Sequence, residues 1–508
     1  MLARTMGLIA AALLLLAAQP AASAEQDNKG AQAASSTKPL VFVTRHSGRF
    51  NGQTVKYTAT AGETYLKDSD GKPTASIFSV AYVRDGVSDP TRRPVVFIFN
   101  GGPGSASLWL HMGAFGPRRV DAPPSNAEDD GAPPFPIVDN RASILDIADL
   151  VFIDPVGTGF SHALGEKDGK DFWGITEDAR SVSQFIRRWI TTNKRWNSPK
   201  YLAGESYGTF RAAAVTHELE GGLNDVALNG IILISTVLDL TGSDTRPGNE
   251  APYVSFLPTY AATAWYHNKV ADRPETVEAF IEEARQFALN DYAVALLKGS
   301  RLDGETRAAI IARLARFTGL SETYIDRANL RVSPARFQKE LLRDQGKTVG
   351  RLDGRFTGID YDDAGERPDA DPSFYAIDGA YTGAVNHYLA TELNVEMDRQ
   401  FEPLSFAVNR GWNWNIDGDR GRPSYINVAP YVGTAMRQNK HFRVLVASGY
   451  YDFATPFFGA ENSMARNGIM PERVTMTYYP AGHMMYVHAP SLKQLNADVR
   501  AFIEAGKR

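Results

Sequence analysis

Two kinds of apolar pattern divide the chain. Residues 94–99, 150–153, 230–234 and 442–447 are short, almost unbroken apolar runs. Runs without alternation predict strands buried on both faces, the habit of a parallel sheet. Between them, Phe172, Ile175, Val182, Phe185, Ile186 and Trp189 recur at helical spacing within 171–193. Strands alternating with helices predict an α/β fold around a mostly parallel central sheet. Residues 40–86 instead break into short runs punctuated by Asn51-Gly52, Asp70-Gly71 and Asp85-Gly86, which predicts antiparallel hairpins. After residue 240 the texture changes again. Stretches 275–298 and 305–317 are long helical patterns with no buried strand between them, and 353–372 is a loop rich in Gly and Asp. This predicts a mainly helical cap at 240–421, inserted between core segments 40–239 and 422–508. A strand at 473–478 and a helix at 492–505 close the chain.

The N-terminus breaks both patterns. Arg4, an apolar run at 7–18 and Ala22-Ser23-Ala24 have the layout of a signal peptide, too short to span a bilayer, with cleavage expected after Ala24. A polar segment at 25–39 reads as a disordered leader. The expected product is exported, periplasmic or secreted, with no stable membrane insertion. The chain has 508 residues, 43% of them hydrophobic, enough for one large or two medium cores. It has no cysteine, which excludes disulfides, a thiol nucleophile and thiolate metal sites. The net charge of −4 offers no basic excess for nucleic acid. A monomer and a homodimer both remain open.

Candidate chemistry gathers where apolar runs end. The run at 201–203 leads into Gly204-Glu205-Ser206-Tyr207-Gly208 and then a helical pattern. Gly-x-Ser-x-Gly between strand and helix marks a sharp turn that projects a nucleophilic serine, so Ser206 is the candidate nucleophile. The run at 94–99 leads into Asn100-Gly101-Gly102-Pro103-Gly104-Ser105. Its glycines free the backbone either for an ordinary tight turn or for N–H groups aimed at an oxyanion, the second donor being the Tyr207 N–H. A serine of this kind needs an acid and a histidine on loops after later strands. Asp452, after the run ending at Ala447, and His483, after the strand ending near Tyr478, meet that need, with His488 as a rival base. Asp154 and the glycines after it read as a structural turn. Trp412 and Trp414 read as packing or as pocket lining, and Asp360 to Asp371 as a solvated acidic loop rather than a calcium site.

Five segments together resemble the serine carboxypeptidase family of α/β-hydrolases, in the manner of an exported bacterial-type member. They are Asn100 to Ser105, Asp154 to Ser161, Gly204 to Gly208, Gly449 to Asp452 and Gly482-His483-Met484. The resemblance implies release of single residues from peptide C-termini through an acyl-enzyme, without metal or cofactor. It implies Ser206, Asp452 and His483 as the triad, and Gly102 and Tyr207 as the oxyanion donors. It further implies Asn100 and Glu205 as the holders of the substrate's terminal carboxylate. Carboxylate and carboxyl can associate only when one is protonated, so such a site favours a raised pKa for its acid. The chain departs from the family in three ways. The family's second acid in this site falls on Ala114, Met485-Tyr486 stands where a valine and proline are usual, and the usual cysteines are missing. A serine esterase or acyltransferase of the same fold, and a non-catalytic peptide-binding homologue, are the alternatives.

Overall fold

The structure, a computed structural model, describes residues 38–122, 131–221, 225–416 and 425–506. The expected signal peptide at 1–24, and the leader expected at 25–39 as far as residue 37, lie outside them. Among the described residues the strands are β1 (Val41–Phe50), β2 (Gln53–Lys67), β3 (Pro73–Arg84), β4 (Val95–Phe99), β5 (Arg118–Val120), β6 (Ile137–Asp139) and β7 (Asp149–Ile153). They continue as β8 (His162–Ala163), β9 (Lys200–Ser206), β10 (Gly230–Thr236), β11 (Thr348–Val349), β12 (Thr357–Gly358), β13 (Arg443–Gly449) and β14 (Val474–Tyr479).

One sheet takes the order β1-β2-β3-β7-β4-β9-β10-β13-β14, with β8 beside β3. β1, β2 and β3 pair antiparallel, and β3 runs antiparallel to β7. From β7 to β14 every neighbouring pair is parallel. The apolar runs explain the division. β1 alternates exposed with half-buried positions, as an edge strand with one wet face does, whereas β4 and β7 are buried at every position. Alternate side chains of β4 feed two separate cores. Val96 and Ile98 join Phe152, Ile232 and Leu445 on one face, while Val95, Phe97 and Phe99 join Val151, Leu233 and Val446 on the other. Truncating one such residue, Phe97→Ala for example, costs about 3–5 kcal/mol through lost transfer energy and the cavity left behind.

Helix α1 (Ile175–Thr192) lays Val182, Phe185, Ile186 and Trp189 on the second core, and α2 (Tyr207–Glu220) adds Phe210 and Val215. The insertion after β10 has two parts. Helices from Ala251–Tyr266 to Pro334–Glu340 build a third core of their own, which Tyr450, Phe453, Phe457 and Phe458 join. The helix Asp378–Thr391 instead packs Tyr381, Val385 and Tyr388 into the first core, against the sheet. Helical periodicity cannot separate these parts, because both bury one apolar stripe and differ only in what receives it. Asp360 is likewise not solvated: its carboxylate lies 2.6 Å from the Lys339 ammonium, and both side chains are 3% exposed. The hairpin of β5 and β6 has too few residues to leave a sequence pattern.

Candidate active site

β9 passes directly into α2, and Ser206 stands at the junction with φ 59° and ψ −128°. A non-glycine residue with positive φ is strained, and such strain persists only where the surroundings enforce it. Here they do. A side chain at Gly204 would put its Cβ 2.0 Å from the Gly208 carbonyl oxygen, and one at Gly101 would stand 2.5 Å from the Tyr207 nitrogen. Gly204 lets β9 turn tightly into α2, and Gly101 lets the loop after β4 close onto that turn. Tyr207 opens α2, where helix geometry leaves backbone N–H groups without an internal acceptor. The Gly102 N–H donates to no acceptor among the described residues. Arg211, 1% exposed, locks the arrangement from beneath: Nε reaches Asp178 Oδ2 at 2.6 Å and Nη1 donates to the Asn100 carbonyl at 2.5 Å.

The loops after β13 and β14 are knitted together by the N–H of Tyr450 donating to Tyr479 O and that of Tyr451 donating to Ala481 O. This brings His483 Nδ1 to 2.8 Å from Asp452 Oδ2. Asp452 is fully buried and accepts three more bonds, from Ala454 N at 2.7 Å, Thr455 N at 2.9 Å and Thr455 Oγ1 at 2.7 Å. The His483 backbone is fixed on both sides, its carbonyl accepting from Ser235 Oγ at 2.6 Å and its N–H donating to Leu352 O at 2.6 Å. Burial pushes the imidazole pKa down, but the charge and hydrogen bond of Asp452, with the nearby Glu205, outweigh it and hold His483 above its ordinary value. His488 pairs its Nδ1 with Ser491 Oγ at 2.8 Å, at the start of the last helix, and is not bonded to Asp452.

Asn100, closing β4, and Glu205, closing β9, meet at 2.8 Å through Asn100 Nδ2 and Glu205 Oε2. Asn100 Oδ1 accepts from Leu110 N at 3.0 Å, which orients the amide with its NH2 toward the acid. Tyr486 donates to the same Glu205 oxygen at 2.7 Å. Burial pushes the Glu205 carboxyl up to about 7, against the opposing pull of His483 and of these two hydrogen bonds. Glu205 and His483 also feel each other's charge, the acid helping to raise the imidazole and the imidazole helping to lower the acid. Ala114 is buried on the turn Leu110–Phe115, and its carbonyl accepts from Asn140 and Asn496.

Asp154 binds the N–H and hydroxyl of Ser107 at 2.8 and 2.7 Å, and burial raises it to about 6, so it braces the glycine loop from below. Trp412 and Trp414 stack edge-on against the Tyr207 ring at 5.2 and 5.7 Å, as packing partners of the elbow. Thr455, Arg211 and Ser235 are site residues that motif reasoning missed, and Tyr486 entered it only as a departure from the family. A Thr three residues after an Asp at a strand end was a usable signal for Thr455. Arg211 on α2 and Ser235 on β10 belong to no motif and leave none.

Comparison with known proteins bears on this geometry. The structure resembles the crystal structure of a prohormone-processing carboxypeptidase from Saccharomyces cerevisiae with a TM-score of 0.56, over 88% of this chain and 92% of that one, at 14% identity. The fold is that of an α/β-hydrolase. Within this α/β-hydrolase, residues 58–270, less than half of the chain, match the model of the serine carboxypeptidase family. Serine carboxypeptidase-like 16 of Arabidopsis thaliana is 28% identical over 159 residues, 30% of this chain and 35% of that protein. The pheromone-processing carboxypeptidase of Coprinopsis cinerea is 32% identical over 154 residues, 29% of this chain and 22% of that protein. The matched segment thus spans about a third or less of these relatives' length. No helix among the described residues is long and apolar enough to cross a membrane.

Proposed function

We propose that the protein is a serine-type carboxypeptidase that removes C-terminal residues from peptides, with Ser206, Asp452 and His483 as its triad. The observation that carries this reading is Glu205: a buried acid next to the nucleophile, protonated below about 7 and held by Asn100. A binding site for neutral esters or amides has no use for such a group. A free C-terminal carboxylate does, because a carboxyl O–H and an amide N–H are the donors it accepts from. The family match over residues 58–270 supports the same reading.

In the proposed mechanism Ser206 Oγ attacks the last peptide carbonyl while His483, oriented by Asp452, takes its proton. The new oxyanion accepts from the Gly102 and Tyr207 N–H groups. His483 then protonates the departing amine, the C–N bond breaks, and the terminal amino acid leaves. Water, deprotonated by His483, splits the remaining ester and restores Ser206 and the shortened peptide. We assign the insertion at 240–421 the task of shaping the side-chain pockets between core segments 40–239 and 422–508. Export as a periplasmic or secreted, bacterial-type enzyme rests on the N-terminal pattern alone.

The test is release of free amino acid from N-blocked dipeptides and from their C-terminal amides. The proposal expects turnover of the acids, little of the amides, and a loss on the order of a million-fold in kcat for Ser206→Ala. Ester hydrolysis dependent on Ser206, with no peptide turnover, would replace it with the esterase or acyltransferase reading. Peptide binding without any turnover would replace it with the non-catalytic one.

A further inference from the structure

The corner that holds Glu205 is asymmetric. Both donors, the Asn100 amide and the Tyr486 phenol, converge on Oε2 at 2.8 and 2.7 Å. Oε1 accepts from no donor among the described residues. Tyr486 is 2% exposed and sits in the turn Met485–Val487, on the loop that carries His483. Its ring rests on Gly113, where an added Cβ would come within 2.5 Å of the ring and 2.6 Å of the Tyr381 hydroxyl. Gly113 on the turn Leu110–Phe115 and the large Tyr486 therefore exchange volume: the ring fills space that a larger side chain at 113 would need.

We infer that Tyr486 is a positioning residue of the carboxylate site, its phenol and the Asn100 amide together holding Glu205 Oε2 so that Oε1 faces the peptide's C-terminal carboxylate. This rests on the carboxypeptidase reading. A phenol in this place differs in kind from a second acid. Two carboxyls share a proton and titrate as a pair. The buried Tyr486 hydroxyl, whose own ionisation burial and Glu205 push far above the ordinary phenol range, keeps its proton and donates it to Glu205. Glu205 then titrates singly, near neutrality, in a field set by His483 and Asp452 on the loops after β14 and β13, with Tyr486 and Tyr381 also facing it. The chain keeps a site for free C-termini without the paired acids, and the site works at higher pH than a shared-proton pair.

The experiment is Tyr486→Phe, read as the pH dependence of KM for an N-blocked dipeptide acid, with a simple alkyl ester as a substrate that carries no free carboxylate. Removing a donor from the ionised form of Glu205 raises its pKa, so tight binding of the acid persists to higher pH. The inflection in KM moves up by about one to two pH units. Ester hydrolysis keeps its pH profile. A ring-fluorinated tyrosine at position 486, a stronger donor of almost the same volume, moves the inflection down, and it carries the test should the Phe variant fold poorly. A purely structural Tyr486 changes stability or kcat and leaves the inflection in place, and that result overturns the inference while the wild type still prefers free acids. A wild type with no preference for acids over amides overturns the carboxypeptidase reading and the inference with it.

Discussion

Two buried carboxyl groups stand at the same edge of the sheet and are treated oppositely. Asp452 has both oxygens engaged, Oδ1 by two backbone N–H groups and Oδ2 by Thr455 and His483. Among the described residues Glu205 has two donors on one oxygen and none on the other, and burial carries it up to about 7. The first environment suits an acid that, in the proposed mechanism, orients an imidazole. The second leaves it a proton near neutrality and a free oxygen with which to use it. Hydrogen-bond supply, rather than residue type, divides the roles.

That contrast can be broken from either side. The largest effect is expected for Asp452→Asn, which keeps the shape but presents an NH2 group where His483 Nδ1–H needs an acceptor. The wrong tautomer follows, and kcat falls on the order of ten-thousand-fold in steady-state assays. Next comes Arg211→Met, which strands the buried Asp178 and unties the Asn100 carbonyl. Unfolding in urea should show a loss of about 3–5 kcal/mol, partly restored by adding Asp178→Leu. Smaller still is Glu205→Gln, which keeps a donor but removes the titration. KM for free acids should rise about tenfold or less at low pH, on the scale of one hydrogen bond, and lose its pH dependence.

The pH dependence has a definite sign. In the proposed mechanism His483 takes a proton only when neutral, and its pKa lies above the ordinary imidazole value, so kcat should climb as pH rises past that point. In the same proposal Glu205 binds a carboxylate only when protonated, so KM should climb as pH passes about 7. The two limbs oppose each other, so kcat/KM passes through a maximum, and Glu205→Gln should open its alkaline side.

Much of this was legible in the sequence, for a physical reason. Buried parallel strands must be continuously apolar, and the residues that carry chemistry sit immediately after them. The ends of β9, β13 and β14 therefore pointed to Ser206, Asp452 and His483, while Asn100, after β4, came only with the family resemblance. Tyr486 was noticed only as an unusual residue, because its meaning lies in Gly113 and Glu205, far away in sequence. Asp360 looked solvated because its partner Lys339 lies in a helix 21 residues earlier. The divided insertion was hidden for the same reason: an amphipathic stripe does not say which surface will cover it.

The division of labour between the two acids is tested most directly by measuring KM for an N-blocked dipeptide acid and its amide from pH 5 to 9, in wild type and Glu205→Gln. The account predicts a wild-type KM for the acid that rises as pH passes about 7, and flat profiles for the amide and for the variant. An inflection that survives Glu205→Gln would contradict it.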